Sequence, residues 1–190
     1  FVTGSAPVGR ATVLIAISSI AMPVAAAAPV PDAGWNAYGG DAGGTRYSTA
    51  AQITPANVDQ LEVAWTFRTG ELGQGVKDWS RSAFEATPIL YDGTLYLTTS
   101  STDVVAVNAV TGKLRWRHDS RSRDDLHYSD GVSRGVSLWV DPSSPPDAVC
   151  HARIFAPTLD GRLLALDAAT GKPCLEFGER GAVNLLLGVR

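Results

Sequence analysis

Ala106-Val-Asn-Ala-Val-Thr-Gly-Lys113 returns 59 residues later as Ala165-Leu-Asp-Ala-Ala-Thr-Gly-Lys172. Each copy is a short apolar strand that runs into an Asx residue and a Thr-Gly turn. A unit this small cannot bury its own hydrophobic face, so copies must stack against one another. The residues around the first copy read as strands throughout. Ala86 to Tyr91 is an apolar run that stops at Asp92-Gly93, a hairpin signal. Thr94 to Thr99 alternates like a half-buried strand. Asp103 to Asn108 is β-branched and apolar, Thr111-Gly112 supplies a G1-bulge turn, and Leu114 to His118 alternates again.

The second copy keeps this order. Gly135 to Val140, Arg153 to Thr158 and Arg162 to Asp167 read as its first three strands, and Pro173 to Phe177 as its fourth. A proline in that last strand suits an outer edge, where a missing N–H costs little. Glu62 to Arg68 has the pattern of the outermost strand of an earlier unit, with Trp65 standing where Trp116 stands later. Four-stranded antiparallel meanders in tandem are the blades of an all-β β-propeller. A two-sheet sandwich would not repeat its turn sequence. Propellers close with about four to eight blades, and this sequence holds two nearly complete blades and part of a third. It is therefore expected to be a partial ring.

Composition narrows the function. A net charge of −3 on 190 residues offers no basic face for nucleic acid. Ala11 to Ala28 carries no charge, follows Arg10 and ends in four alanines. That is the pattern of a secretory signal peptide over residues 1–28, with a retained anchor as the alternative. The expected location is the periplasm, with membrane association possible for a retained anchor, and residues 29–190 would form the propeller portion.

Trp35-Asn-Ala-Tyr-Gly-Gly-Asp-Ala-Gly-Gly-Thr-Arg-Tyr-Ser48 resembles the opening segment of the pyrroloquinoline quinone (PQQ)-dependent dehydrogenases. The blade motif Ala106 to Trp116, Phe84-Glu-Ala-Thr-Pro88 and Ser133-Arg-Gly-Val136 resemble further segments of that family. The stretch from Cys150 through Gly161-Arg-Leu-Leu-Ala-Leu to Val183-Asn-Leu185 is most similar to the glucose dehydrogenase branch. The resemblance implies an eight-bladed ring, of which this sequence is an N-terminal part. It implies PQQ at the axis beside a Ca²⁺ ion, a sugar or polyol as substrate, and a quinone or cytochrome as electron acceptor. The remaining blades would supply the proton-abstracting carboxylate and the Ca²⁺ ligands, since no residue of this sequence matches them. A non-catalytic propeller scaffold of the bacterial envelope is the alternative; it has no reason to keep the opening segment.

Three residues are candidates for the cofactor wall. Aligning the first strands of the two blades sets Glu85 over Arg134, where the chain enters the innermost strand and charge faces the axis at one rim. A guanidinium there could fork a cofactor carboxylate, and a carboxylate could accept from a ring or hydroxyl donor. The same two charges could instead be solvated, or paired with each other. The resemblance places a cofactor-contacting Glu and Arg in these segments. Where the family carries a Cys before that Arg, this chain has Ser133, which argues against the methanol and ethanol type. Thr158, at the end of a strand, is the third candidate; a strand-end Thr is also simply a good β-former.

Cys150 and Cys174 are either bridged, as export would permit, or two buried thiols. His118, His127 and His151 stand apart from one another and from the cysteines, so a zinc site is not expected. The glycine pairs at 39–40 and 43–44 lack the ending of a phosphate loop. Trp65 and Trp116 read as inter-blade packing.

Overall fold

The sequence forms two four-stranded antiparallel meanders, observed in a computed structural model that describes residues 34–71, 83–122 and 131–188. The expected export segment 1–28 and His127 lie outside these residues. The first sheet is β1 (Ile89–Tyr91), β2 (Thr94–Thr98), β3 (Val104–Asn108) and β4 (Leu114–His118), paired in that order. The second is β5 (Ser137–Val140), β6 (Ala152–Pro157), β7 (Arg162–Asp167) and β8 (Ala182–Asn184), again in order. One short 3₁₀ turn, Val58–Gln60, precedes them.

Local chemistry explains the turns. Asp92 and Gly93 both take positive φ, 45° and 63°, the requirement of a type I′ hairpin, whose twist matches the strands it joins. The Thr-Gly turns are the same object twice. Gly112 N donates to the Asn108 carbonyl at 2.9 Å, and Gly171 N to the Asp167 carbonyl at 2.8 Å. The Asx side chain completes each turn: Asn108 Oδ1 accepts from Thr111 N and Asp167 Oδ1 from Thr170 N. The bulge lies further inside the ladder than the turn signal suggested. Register slips between Ala106 and Val107, which leaves Arg115 as the extra residue of β4.

The two sheets stack face to face. β3 alternates between them: Val104 and Ala106 join a core with Ile89, Tyr96, Ile154, Leu164 and Leu166 from both blades. Val105 and Val107 face the other way and pack with Leu97 against Trp65 and Phe67. A strand covered on both faces has no polar side, which is why it reads as a continuous apolar run. Each large side chain fully buried here, such as Ile89, Ile154 or Leu166, contributes about 1.5–3 kcal/mol. The first strands converge, since Thr87 and Gly135 form a parallel bridge between the two sheets. That is the arrangement of propeller blades about an axis. Trp35 pairs with Leu90 on the free edge of β1, so the opening segment lies on the axial side.

Two expected strands differ. The fourth strand of the second blade begins in the foreseen register, with Pro173 bridging Leu166 and Cys174 N donating to the Ala165 carbonyl at 2.8 Å. The chain then leaves the ladder over 175–181, Leu175 is exposed, and Ala182–Asn184 completes the edge against Arg162–Leu164. Proline has no N–H to extend the ladder at its own position, and Cys174 is held instead by a disulfide to Cys150, with Cα atoms 5.8 Å apart. Glu62 to Arg68 forms no strand, because no described segment lies beside it to complete a ladder; Trp65 nevertheless docks as expected.

Candidate functional site

Strand direction gathers the candidate residues at one rim. β1 and β5 run antiparallel to β2 and β6. The starts of β1 and β5 therefore share an end of the stack with the turns 99–103 and 158–161. Glu85, Arg134 and Thr158 all belong to this rim, and so does the exit of β4 at Ser120.

Glu85 and Arg134 meet. Thr87 N donates to the Arg134 carbonyl at 3.2 Å, and Ala83 N to the Gly131 carbonyl at 3.3 Å. This backbone seam brings the Arg134 Nη2 to 3.3 Å from Glu85 Oε2. The Arg134 side chain is 80% exposed and the Glu85 side chain 40%. So open a pair adds little to stability. The guanidinium keeps N–H donors with no partner among the described residues. Beside it, the Ser133 hydroxyl is buried with no hydrogen-bond partner among the described residues. Spare donors on an exposed cation suit a planar anionic acceptor.

Thr158 sits at the same rim, but its hydroxyl is committed. It donates to the Asp160 carboxylate and accepts from Arg162 N at 3.1 Å. Its backbone repeats the blade-one turn: Thr158 N donates to the Arg162 carbonyl as Thr99 N does to that of Asp103, both at 2.9 Å. Asp160 in turn receives Arg162 Nε at 3.0 Å on each oxygen.

Further polar residues on this rim carry no motif, and nothing in the sequence pattern marks them. The Glu71 carboxylate accepts from Ser100 N at 2.8 Å and Ser101 N at 3.0 Å, and from the Ser101 hydroxyl. Burial pushes its pKa up, but the hydrogen bonds from Ser101, Thr99 and the backbone outweigh burial and hold it below the usual glutamate value. Away from this rim, His118 lies between the blades, with Nδ1 3.0 Å from the Gly171 carbonyl of the second Thr-Gly turn; burial holds its pKa below the usual value against the opposing pull of that carbonyl and of Asp103. Among the described residues no cluster of three or more His, Cys, Asp or Glu side chains could hold a metal ion. No described helix is long and apolar enough to cross a membrane.

Two stacked four-stranded meanders, converging on first strands that present an acid and a base at one rim, define a run of β-propeller blades with an axial polar site. The profile of the PQQ glucose/ethanol/alcohol dehydrogenase β-propeller domain matches residues 35–190, and the chain belongs to this family of PQQ-dependent oxidoreductases. It is 40% identical over 158 residues to the glycerol dehydrogenase large subunit of Gluconobacter oxydans, covering 82% of this chain and 21% of that protein. It is 38% identical over 173 residues to the quinoprotein glucose dehydrogenase of Escherichia coli, covering 89% and 22%. The crystal structure of quinohemoprotein alcohol dehydrogenase from Comamonas testosteroni superposes with a TM-score of 0.59 at 30% identity, covering 82% of this chain and 20% of that one. The chain thus spans about a fifth of the length of the relatives it matches.

Proposed function

We propose that this chain is part of an exported PQQ-dependent dehydrogenase that oxidises a sugar or polyol of the glucose type at a CH–OH carbon. The electrons would pass to a quinone or cytochrome. The observation that carries the reading is the Arg134–Glu85 pair, set by a backbone seam at the axial rim, with guanidinium donors that no other described residue takes up. The likeness to glucose and glycerol dehydrogenases supports the substrate class.

When bound, PQQ would take up the electron pair released as CH–OH becomes C=O. Arg134 would fork a cofactor carboxylate. Glu85 would hold the guanidinium plane from the side and accept a hydrogen bond from the cofactor edge. Thr158, whose hydroxyl is spent on Asp160, would support this rim. The Ca²⁺ ion that the family implies, and the general base, would be held by side chains beyond these residues.

The test uses the complete dehydrogenase that carries this chain. Loaded with PQQ and Ca²⁺, it should reduce a dye acceptor with an aldose or polyol. Arg134→Ala should raise the half-saturating PQQ concentration at least about tenfold, the worth of one charge-assisted hydrogen bond of roughly 1.5–3 kcal/mol; Glu85→Gln should raise it less. Loaded enzyme that oxidises no aldose or polyol would remove the substrate reading, and unchanged PQQ affinity in both variants would remove the site.

A further inference from the structure

The chain leaving each blade is fastened to the next blade at two points. At the rim away from the site, Trp65 Nε1 donates to the Ala109 carbonyl at 3.1 Å and Trp116 Nε1 to the Ala168 carbonyl at 3.0 Å. Ala109 and Ala168 are equivalent in the repeat, so this contact is copied with it. At the site rim the fastening falls four residues after each tryptophan. Arg117 Nη1 donates to the Thr69 carbonyl at 2.7 Å, and Arg162 Nη2 to the Ser120 carbonyl at 2.7 Å and the Arg121 carbonyl at 3.2 Å. Each guanidinium is aimed by a carboxylate with a largely buried side chain: Arg117 by Asp103 at 2.7 Å, Arg162 by Asp160 at 2.9 Å.

These two arginines are not copies of one another. In the 59-residue register Arg162 stands where Asp103 stands, and Arg117 comes from a different strand. The blades reach the same contact, a guanidinium on the carbonyl four residues past the tryptophan, with different residues. Copying of the repeat explains the tryptophan contact but not this one. What the contact holds is the point where the chain departs for Glu85, 16 residues past Thr69, and for Arg134, 14 residues past Ser120.

We propose that Arg117 and Arg162, with Asp103 and Asp160, are positioning residues of the cofactor rim, an inference that rests on the PQQ site proposed above. They touch no cofactor; they hold the departure points of the segments that deliver Glu85 and Arg134. Carbonyls held by forked, carboxylate-aimed guanidiniums fix these departure points on the rim before the cofactor arrives, in addition to the seam that joins Glu85 to Arg134.

The experiment is an equilibrium titration of PQQ into the complete dehydrogenase, paired with a thermal melt, for wild type, Arg162→Ala, Arg162→Lys and Trp116→Phe. Arg162→Ala should raise the half-saturating PQQ concentration about tenfold. Arg162→Lys should fall between it and wild type, since an ammonium lacks the planar fork by which Nε takes the carboxylate while Nη2 takes the carbonyls. Trp116→Phe loosens the same blade junction at the opposite rim, so it should melt lower yet bind PQQ as wild type does. Arg162→Ala with wild-type affinity, or Trp116→Phe losing as much affinity as Arg162→Ala, would overturn the positioning role. Should the alanine variant fail to fold, the lysine variant decides by the same two readouts. Wild type that binds no PQQ would instead bring down the cofactor site itself.

Discussion

Replacing Gly171 by alanine tests the junction between the blades. Gly171 has φ +70°, and a Cβ there would stand 2.5 Å from Trp116 Cε3 and 2.6 Å from Cδ2. Gly93 has a similar φ, +63°, and a Cβ there would meet nothing within 4 Å. Gly93→Ala therefore carries the left-handed backbone cost alone, about 1–2 kcal/mol. Gly171→Ala carries the same cost and also displaces a rigid ring. Moving that ring forfeits the Trp116 hydrogen bond to Ala168, about 1 kcal/mol. It also disturbs the tilted contact with Tyr96, whose ring centroid is 5.9 Å away and which is worth about 0.5–1.5 kcal/mol. The difference between the two variants should be about 2 kcal/mol. Guanidinium unfolding followed by tryptophan fluorescence measures it, provided the denaturant slope is unchanged. Gly112→Ala, whose Cβ would stand 2.5 Å from Trp65, should behave like Gly171→Ala. Equal losses at positions 93 and 171 would show that the tryptophan does not lock the blades.

Removing the disulfide by a Cys150→Ala, Cys174→Ala double substitution frees a loop with a sequence separation of 24 and should cost roughly 3 kcal/mol; an unchanged melting midpoint would refute this. Glu71 has a lowered pKa in the folded protein, so its contribution is complete above the usual glutamate value and is lost as pH falls toward the folded-state value, where the unfolded chain takes up the proton first. Glu71→Gln should flatten that part of the acid limb of a stability–pH profile, and an identical slope would contradict the assignment. Thr158→Val leaves the mostly buried Asp160 carboxylate short of a donor and should lose about 1–2 kcal/mol, with Thr158→Ser retaining most of it; equal stability of the valine and serine variants would rule out the hydroxyl's role.

Much of the fold was legible because its signals are local. Asp92-Gly93 demanded a hairpin, the two Thr-Gly turns demanded left-handed glycines, and the alternation of β4 declared one covered face; β2, expected to be half-buried, is instead covered on both faces, with Tyr96 in the core between the blades and Leu97 packed on the other side. The fourth strand of the second blade was legible only at Pro173. Its departure over 175–181 depends on where Cys174 finds Cys150, and sequence alone left open whether the two were joined. The site was legible in part for the same reason. Equivalent positions in the repeat set Glu85 over Arg134, but their contact required the Thr87–Gly135 seam between two sheets.

Sequence by itself therefore determined most of the unit: the first three strands of each blade, the turns between them, and the two charges at the start of the inner strands. These follow from residue type and short-range period, which act within a few residues. Tertiary structure alone decided which residues serve one another across the rim. Arg162 stands 42 residues from Ser120 and Arg117 48 residues from Thr69, and no periodicity links them. Each pair meets because stacking two blades to bury their apolar faces brings one blade's exit beside the next blade's turn. Once there, the Ser120 carbonyl past the end of β4 and the Thr69 carbonyl past the segment that carries Trp65 each take the nearest guanidinium.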